Sequence, residues 1–242
     1  MRVELLEHTP EPEHLVALAA KLCYSNADID ELLQKEVTAE QTTAFIHKLL
    51  KMGHLSPFEH INFTFGVEGI SRAASHQLVR HRIASYSQQS QRYVTYQNFE
   101  FVVPPSISST ELSCEFSEAM EYLQGIYHKL ISSGIPPEDA RFVLPNACTT
   151  KIIVTMNARE LMHFFRLRCC NRAQWEIRAM AIEMLERVKA VAPNIFTNSG
   201  PACVGGNCQE GELSCGKPWK KKRSVEEISL PEIIQDIFRN RP

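Results

Sequence analysis

The sequence predicts an α+β fold: a helix-rich single domain with a small, mostly antiparallel sheet. Three observations carry that prediction. Helical periodicity dominates the chain, two short segments instead alternate or are β-branched, and no internal repeat interrupts them. With 242 residues, 44% hydrophobic and 22% charged, the composition is that of an ordinary globular protein.

The elements follow in order. Residues 12–24, PEHLVALAAKLCY, carry apolar side chains at helical spacing. Thr38 to Gln41 form a capping-box pattern ahead of the helical segment TTAFIHKLLKMG, which Gly53 is placed to end. INFTFGVEG puts Ile61, Phe63, Phe65 and Val67 on one face and Asn62, Thr64 and Glu68 on the other, as a half-buried strand requires. Ser71 is a candidate cap for a helix over RAASHQLVRHR, residues 72–82. A polar run follows, then YVTYQNFEFVVPP as strand or extended chain. Residues 111–132 predict a long amphipathic helix, and GIPPEDARFVLP a turn and short helix with Pro137 in its first turn. TTKIIVTM is strand-like. Asn157 is a candidate cap for ARELMHFFRLRCC and Asn171 for RAQWEIRAMAIEMLERVKAV, which Pro193 would stop. Phe164, Phe165 and Trp175 read as core. After residue 196 the chain turns rich in Gly and Cys, and SVEEISLPEIIQDIFRN predicts a last helix.

The formal net charge of −2 argues against a partner of nucleic acid, which basic surfaces serve. The start has no apolar run of signal-peptide length, and no stretch approaches the roughly 20 apolar residues of a membrane span. These features predict a cytoplasmic protein. The eight cysteines agree with that: five lie scattered in apolar or helical segments, where a reduced Cys acts as a small hydrophobe.

Chemistry concentrates in RHRIASYSQQSQRY, residues 80–93. Gln77 and Arg80, three apart on the predicted helix, would share a face. Cations at a helix C-terminus are favourable by themselves. The hydroxyls, amides and Arg92 that follow are more than this requires. Guanidinium forks suit phosphate, and Gln amides both donate to and accept from a pyrimidine edge. From spacing alone, a nucleotide site and a solvated loop both remain open.

The same run resembles the signature of the flavin-dependent thymidylate synthases, with Arg80, His81, Arg82, Ser85, Ser90 and Arg92 in register and Ser87 where Asn is common. GHLSPFEH, with His54, Ser56, Glu59 and His60, resembles that family's N-terminal signature. DARFVLP, MNARELMHFFRLR and AQWEI extend the likeness over residues 1 to 195. The resemblance implies an α+β homotetramer with active sites between subunits. It implies methylation of dUMP at C5 to dTMP, with methylenetetrahydrofolate as carbon donor, FAD as hydride carrier and NADPH as reductant. No G-x-G-x-x-G is present, so flavin binding would not be of the dinucleotide-fold kind.

By resemblance, Ser56, Arg80, His81, Arg82, Asn157, Arg159 and His163 contact FAD. Gln77, Leu78, Val79, Arg80, Gln88, Gln89, Ser90, Gln91, Arg92, Arg141 and Arg168 contact dUMP, with Arg168 as the catalytic residue. Arg168 beside the uracil imide would stabilise charge on N3 and O4 and so enrich C5. His163 stands where relatives carry Asn, Arg172 where some carry His, and Gln88 where Glu is frequent.

Blander readings exist for several of these residues. His54 and His60 suit a helix end and a strand start, Arg159 and His163 a solvated helix face, and KKKR at 220–223 a solvated loop. Two other functions are compatible with parts of the chain: a thymidylate synthase using Cys148 as nucleophile, and a non-catalytic nucleotide- or RNA-binding module. Residues 196–242 form an extension beyond the resembling domain. Its Cys203, Cys208 and Cys215 are separated by four and six residues, whereas zinc ligands usually come in tighter pairs. They read as a reduced or redox-active loop and no metal is assigned, with Cys169 or Cys170 a fourth thiolate if the tail folds back.

Overall fold

The computed structural model describes residues 1–34, 37–96 and 98–219. Its centre is a four-stranded antiparallel sheet in the order β1-β2-β4-β3, formed by β1 (Arg2–His8), β2 (Asn62–Ser71), β3 (Ala84–Gln88) and β4 (Thr149–Asn157). Register pairs Phe63 with Met156, Phe65 with Val154 and Val67 with Ile152, so one face of the sheet is a continuous apolar surface. All six of these side chains are buried.

The α-helices are α1 (Pro12–Leu22), α2 (Ile29–Gln34), α3 (Ala39–Met52), α4 (Arg72–Leu78), α5 (Pro105–Ser108), α6 (Leu112–Ser132), α7 (Pro137–Ala140), α8 (Ala158–Arg168), α9 (Trp175–Val191) and α10 (Pro193–Phe196). Helix α9 touches β1, β2, α4, α8 and α10 and is the spine of the core. The opposite sheet face leaves Leu6 and Ile153 about half exposed, beside the side-chain-free Gly66.

Local chemistry explains the boundaries. The Thr38–Gln41 capping box forms as the sequence predicts, and Gly53 ends α3 in the left-handed conformation at φ 70°. Ser71 and Asn157 cap α4 and α8, accepting from Ala74 N at 3.0 Å and Glu160 N at 2.8 Å. Phe164 and Phe165 are fully buried, while Trp175 is half-buried.

Some boundaries differ from the sequence reading. Helix α9 begins three residues later than RAQWEI suggests: Gln174 caps it, because Asn171 is engaged by Arg178. Helix α4 stops at Leu78, so Arg80 lies beyond it and shares no helical face with Gln77. The polar run contains β3, and the described residues of YVTYQNFEFVVPP form one bridge, Phe101 to Cys148, before α5 begins at Pro105. The sequence reading also passed over β1, α2, α5 and α10. The basic run at 220–223 and the helix expected after it lie outside the described residues. Among the described residues, no helix is long and apolar enough to cross a membrane.

Candidate active site

The site begins where α4 ends. Ser71 is held by Glu176, whose carboxylate accepts from Ser71 N at 2.6 Å and Ser71 Oγ at 2.5 Å. This buried anion at the start of α4 fixes the helix that leads into the Arg80–His81–Arg82 turn. At the other end, Tyr86 of β3 turns its hydroxyl to the carbonyls of Leu78 (2.9 Å) and His81 (2.7 Å), so the turn is pinned to the sheet edge.

His81 is drawn inward, 6% exposed, with its ring edge-on to Phe164 at 4.9 Å. Its Nε2 accepts from Arg168 Nε at 3.0 Å. That fixes the tautomer: the proton sits on Nδ1 and is donated to Glu160 Oε1 at 3.1 Å. Glu160, His81 and Arg168 are thus one buried chain, with both acid and base supplied by the two ends of α8. Burial lowers the His81 pKa first of all, and Arg168 lowers it further, against the raising effect of Glu160. Neutral His81 can accept from Arg168; an imidazolium cannot. Burial also lowers the Arg168 pKa, in a group that stays cationic near neutrality.

His163 brings its ring nitrogen close enough to His81 and Glu160 for the three ligand atoms to lie within 4.8 Å of one another. Both His81 nitrogens are spent on protein partners, so this trio does not offer three lone pairs to an ion.

Beside the chain lies a cavity of about 650 Å³ lined by Leu55, Glu59, Ile83, Asn157, Arg159 and His163, among others. Arg159 ion-pairs with Glu59 across it. Ser56 is exposed at the start of the adjoining turn Ser56–His60. Arg80 and Arg82 are exposed and form no ion pair among the described residues. The structure therefore gathers Asn157, Arg159 and His163, with Ser56 next to them. His54 bonds Tyr24 Oη at 2.8 Å.

A second group forms past the sheet edge. Arg92 Nη2 pairs with Glu138 Oε2 at 2.8 Å, and Arg141 Nε donates to the Glu138 carbonyl at 3.1 Å, so two distant guanidiniums meet at one turn. Ser90 Oγ accepts from Arg92 N at 3.1 Å, and Gln91 is half-buried between them. Gln88 donates to Ser75 Oγ (2.9 Å) and Thr150 Oγ1 (3.2 Å). Gln77 is half-buried and Val79 exposed at the end of α4.

Two assigned positions are not brought to this group. Leu78 is sealed in the core and its carbonyl is taken by Tyr86. Gln89 lines the open face of the sheet with Leu6, Gly66 and Ile153. Arg172 turns to the tail, donating to the Leu213 carbonyl at 2.6 Å.

Sequence reasoning missed Glu160, Tyr86 and Glu176. Glu160 carried a signal: it stands three residues after the cap Asn157, where a capping-box Glu would reach back, yet its carboxylate goes to His81 instead.

Fold and site together define a class: an α+β protein that gathers guanidiniums, amides and a buried His–Glu pair at a sheet edge and the helix behind it. Residues 4–194 match the family model described as thymidylate synthase complementing protein, and the chain belongs to that family. It is similar to three proteins named flavin-dependent thymidylate synthase. That of Geobacter sulfurreducens is 60% identical, over 95% of this chain and all of the relative. Those of Clostridium tetani and Nitratidesulfovibrio vulgaris are 53% and 47% identical, over 92% and 89% of this chain and 96% and 94% of their own lengths.

Proposed function

We propose that this chain is a flavin-dependent thymidylate synthase, converting dUMP to dTMP with methylenetetrahydrofolate as carbon donor and NADPH as reductant. The observation that carries the reading is the Glu160–His81–Arg168 chain. With Nε tied to His81, Arg168 keeps its two terminal nitrogens to face a ligand, in a setting half removed from water. A cation held there stabilises negative charge on N3 and O4 of a uracil and raises electron density at C5. C5 would then attack the donated methylene carbon as its bond to the folate nitrogen breaks, the C5 proton would leave to a base or water, and no protein nucleophile is needed.

Other residues support the same reading. Arg92 and Arg141 meet at one turn, where they suit the nucleotide phosphate, with Glu138 displaced by it. Ser90 Oγ accepts a backbone hydrogen bond and has no imidazole or carboxylate partner among the described residues, so it serves as a polar contact and not as a nucleophile. Cys148 is fully buried, and burial pushes its pKa up to about 11. A thiol so protonated does not suit Cys-nucleophile chemistry.

The donor set beside Arg168 fits a flavin. Leu55, Ile83 and Met162 are apolar lining for a ring system, Asn157 and His163 are polar contacts, and Arg80, Arg82 and Arg159 are cations for a pyrophosphate. FAD, when bound, supplies the hydride that reduces the transferred carbon. Val79 and Gln89 would contribute to the nucleotide only through the backbone or across a subunit boundary, and the enclosed Leu78 would support the turn from the core. The open sheet face with Leu6 and Ile153 supports a homotetramer with sites between subunits. Eight free thiols, with no disulfide, support the cytoplasm. Residues 1–195 are the catalytic domain in this reading, and residues from 196 onward an extension.

Arg168→Ala tests the mechanism. Turnover should fall by about a hundredfold or more while bound flavin, read from its visible absorbance, stays near the parent level. Full turnover in that variant would remove Arg168 from the chemistry.

A further inference from the structure

Beyond this reading, the described part of the extension, up to Trp219, folds back on the domain. Trp219 packs against the core, Arg172 binds the Leu213 carbonyl, and Asn171 Nδ2 donates to the Lys217 carbonyl at 3.5 Å. The fold-back brings four cysteines to one cavity: Cys170, just past the end of α8, and Cys203, Cys208 and Cys215 of the extension. Cys169, the other candidate from the sequence, is sealed in the core. Cys170 is therefore the thiol that completes a set of four.

We propose that Cys170, Cys203, Cys208 and Cys215 form a tetrathiolate zinc site that staples the extension to the end of α8. Four thiolates close a structural zinc site, and three from the extension alone would not. Two of the four sulfurs are approached by N–H donors. The Trp219 backbone N–H donates to Cys203 Sγ at 3.2 Å, and Asn171 Nδ2 lies 3.7 Å from Cys215 Sγ. Donors aimed at ligating atoms orient the ligands and spread their charge. Arg166, Arg172 and Lys217 line the same cavity against one carboxylate, Glu210. They offset the double negative charge of a zinc ion with four thiolates.

The sulfurs surround the cavity without meeting; no three lie within 4.8 Å of one another. Zinc–sulfur bonds of about 2.3 Å require the extension to close by a few ångströms. The extension consists of short turns, with Gly211 and Gly216 at φ 55° and 69°, where glycine is the residue that the backbone favours. Metal binding would thereby fix the segment two residues beyond Arg168, and binding energy becomes folding energy.

The test is independent of the synthase assay. The full chain, purified without chelator, is analysed for zinc and iron by mass spectrometry of the metals and for acid-labile sulfide. The expected result is about one zinc per chain, lost in Cys208→Ser and Cys215→Ser and retained in Cys23→Ser/Cys114→Ser, whose thiols are exposed elsewhere. To keep the test independent of how the serine variants fold, apo protein is also titrated with cobalt(II). Thiolate-to-cobalt charge transfer and an intense tetrahedral d–d band are expected. Chain free of metal that gives no cobalt band would overturn the proposal. So would iron with labile sulfide in place of zinc, a disulfide between two of the four, or unchanged zinc in the serine variants.

Discussion

At the scale of single residues, His81 decides whether Arg168 is held. The imidazole accepts from Arg168 only while neutral, and its burial favours the neutral form. Because its folded pKa lies below the unfolded value of about 6.5, His81 contributes stability that is present above that value. That stability is lost as pH falls through the histidine range toward the folded pKa. Turnover should show an acidic limb below the usual histidine range for the same reason. Glu160 is the positioning residue: it holds Nδ1–H and so leaves Nε2 to Arg168. Glu160→Ala removes one charge-assisted hydrogen bond of about 1.5–3 kcal/mol, which is roughly ten- to a hundredfold in rate. It also removes a pKa-raising neighbour, so the acidic limb should move to lower pH. A rate loss with an unmoved limb would show that Glu160 acts only through packing. The resemblance named His81 and Arg168, but their link to Glu160 was not legible from sequence, since Glu160 reads there as an ordinary helix-start acid.

At the scale of elements, Glu176 links the core helix α9 to the start of α4. Its two hydrogen bonds to Ser71 are buried, and removing the carboxylate leaves a helix start without its anion. Glu176→Ala should cost about 2–4 kcal/mol in urea unfolding and weaken flavin retention through the turn that α4 positions. A change under about 0.5 kcal/mol, within the range of a neutral surface substitution, would contradict that role. The elements that the sequence made legible were those whose signals are local. The Thr38–Gln41 box, the caps Ser71 and Asn157, and the alternation of Ile61 to Val67 each fix an element without help from elsewhere. Strand β3 was not legible because an edge strand of Ala, Ser, Tyr, Ser and Gln buries little on either face. Its place depends on β4 beside it and on Tyr86 reaching the α4 carbonyls. The start of α9 was misplaced because Asn171, a good cap by type, is drawn away by Arg178 from the following helix.

At the scale of the whole molecule, Asn157, Arg159 and His163, which the proposal gives to the flavin, gather within one chain, while the guanidiniums Arg92 and Arg141, which it gives to the nucleotide, form a separate group past the sheet edge. The two groups are joined through α4, β3 and the turn between them. The resemblance in the sequence pointed to nearly all of these positions, because the motif residues cluster in a few short runs. The sequence did not show that Leu78 is enclosed or that Gln89 faces the other side of the sheet, since period-two alternation at a polar edge leaves no hydrophobic mark. The most direct measurement is dTMP formation, by chromatography, from dUMP and methylenetetrahydrofolate with FAD and NADPH under anaerobic conditions, alongside reactions that each omit one component. The account predicts product in the complete mixture and none when FAD and NADPH are both withheld from flavin-stripped protein. Product that persists without both would contradict it and return Cys148 to consideration, and no product under any condition would leave a binding protein.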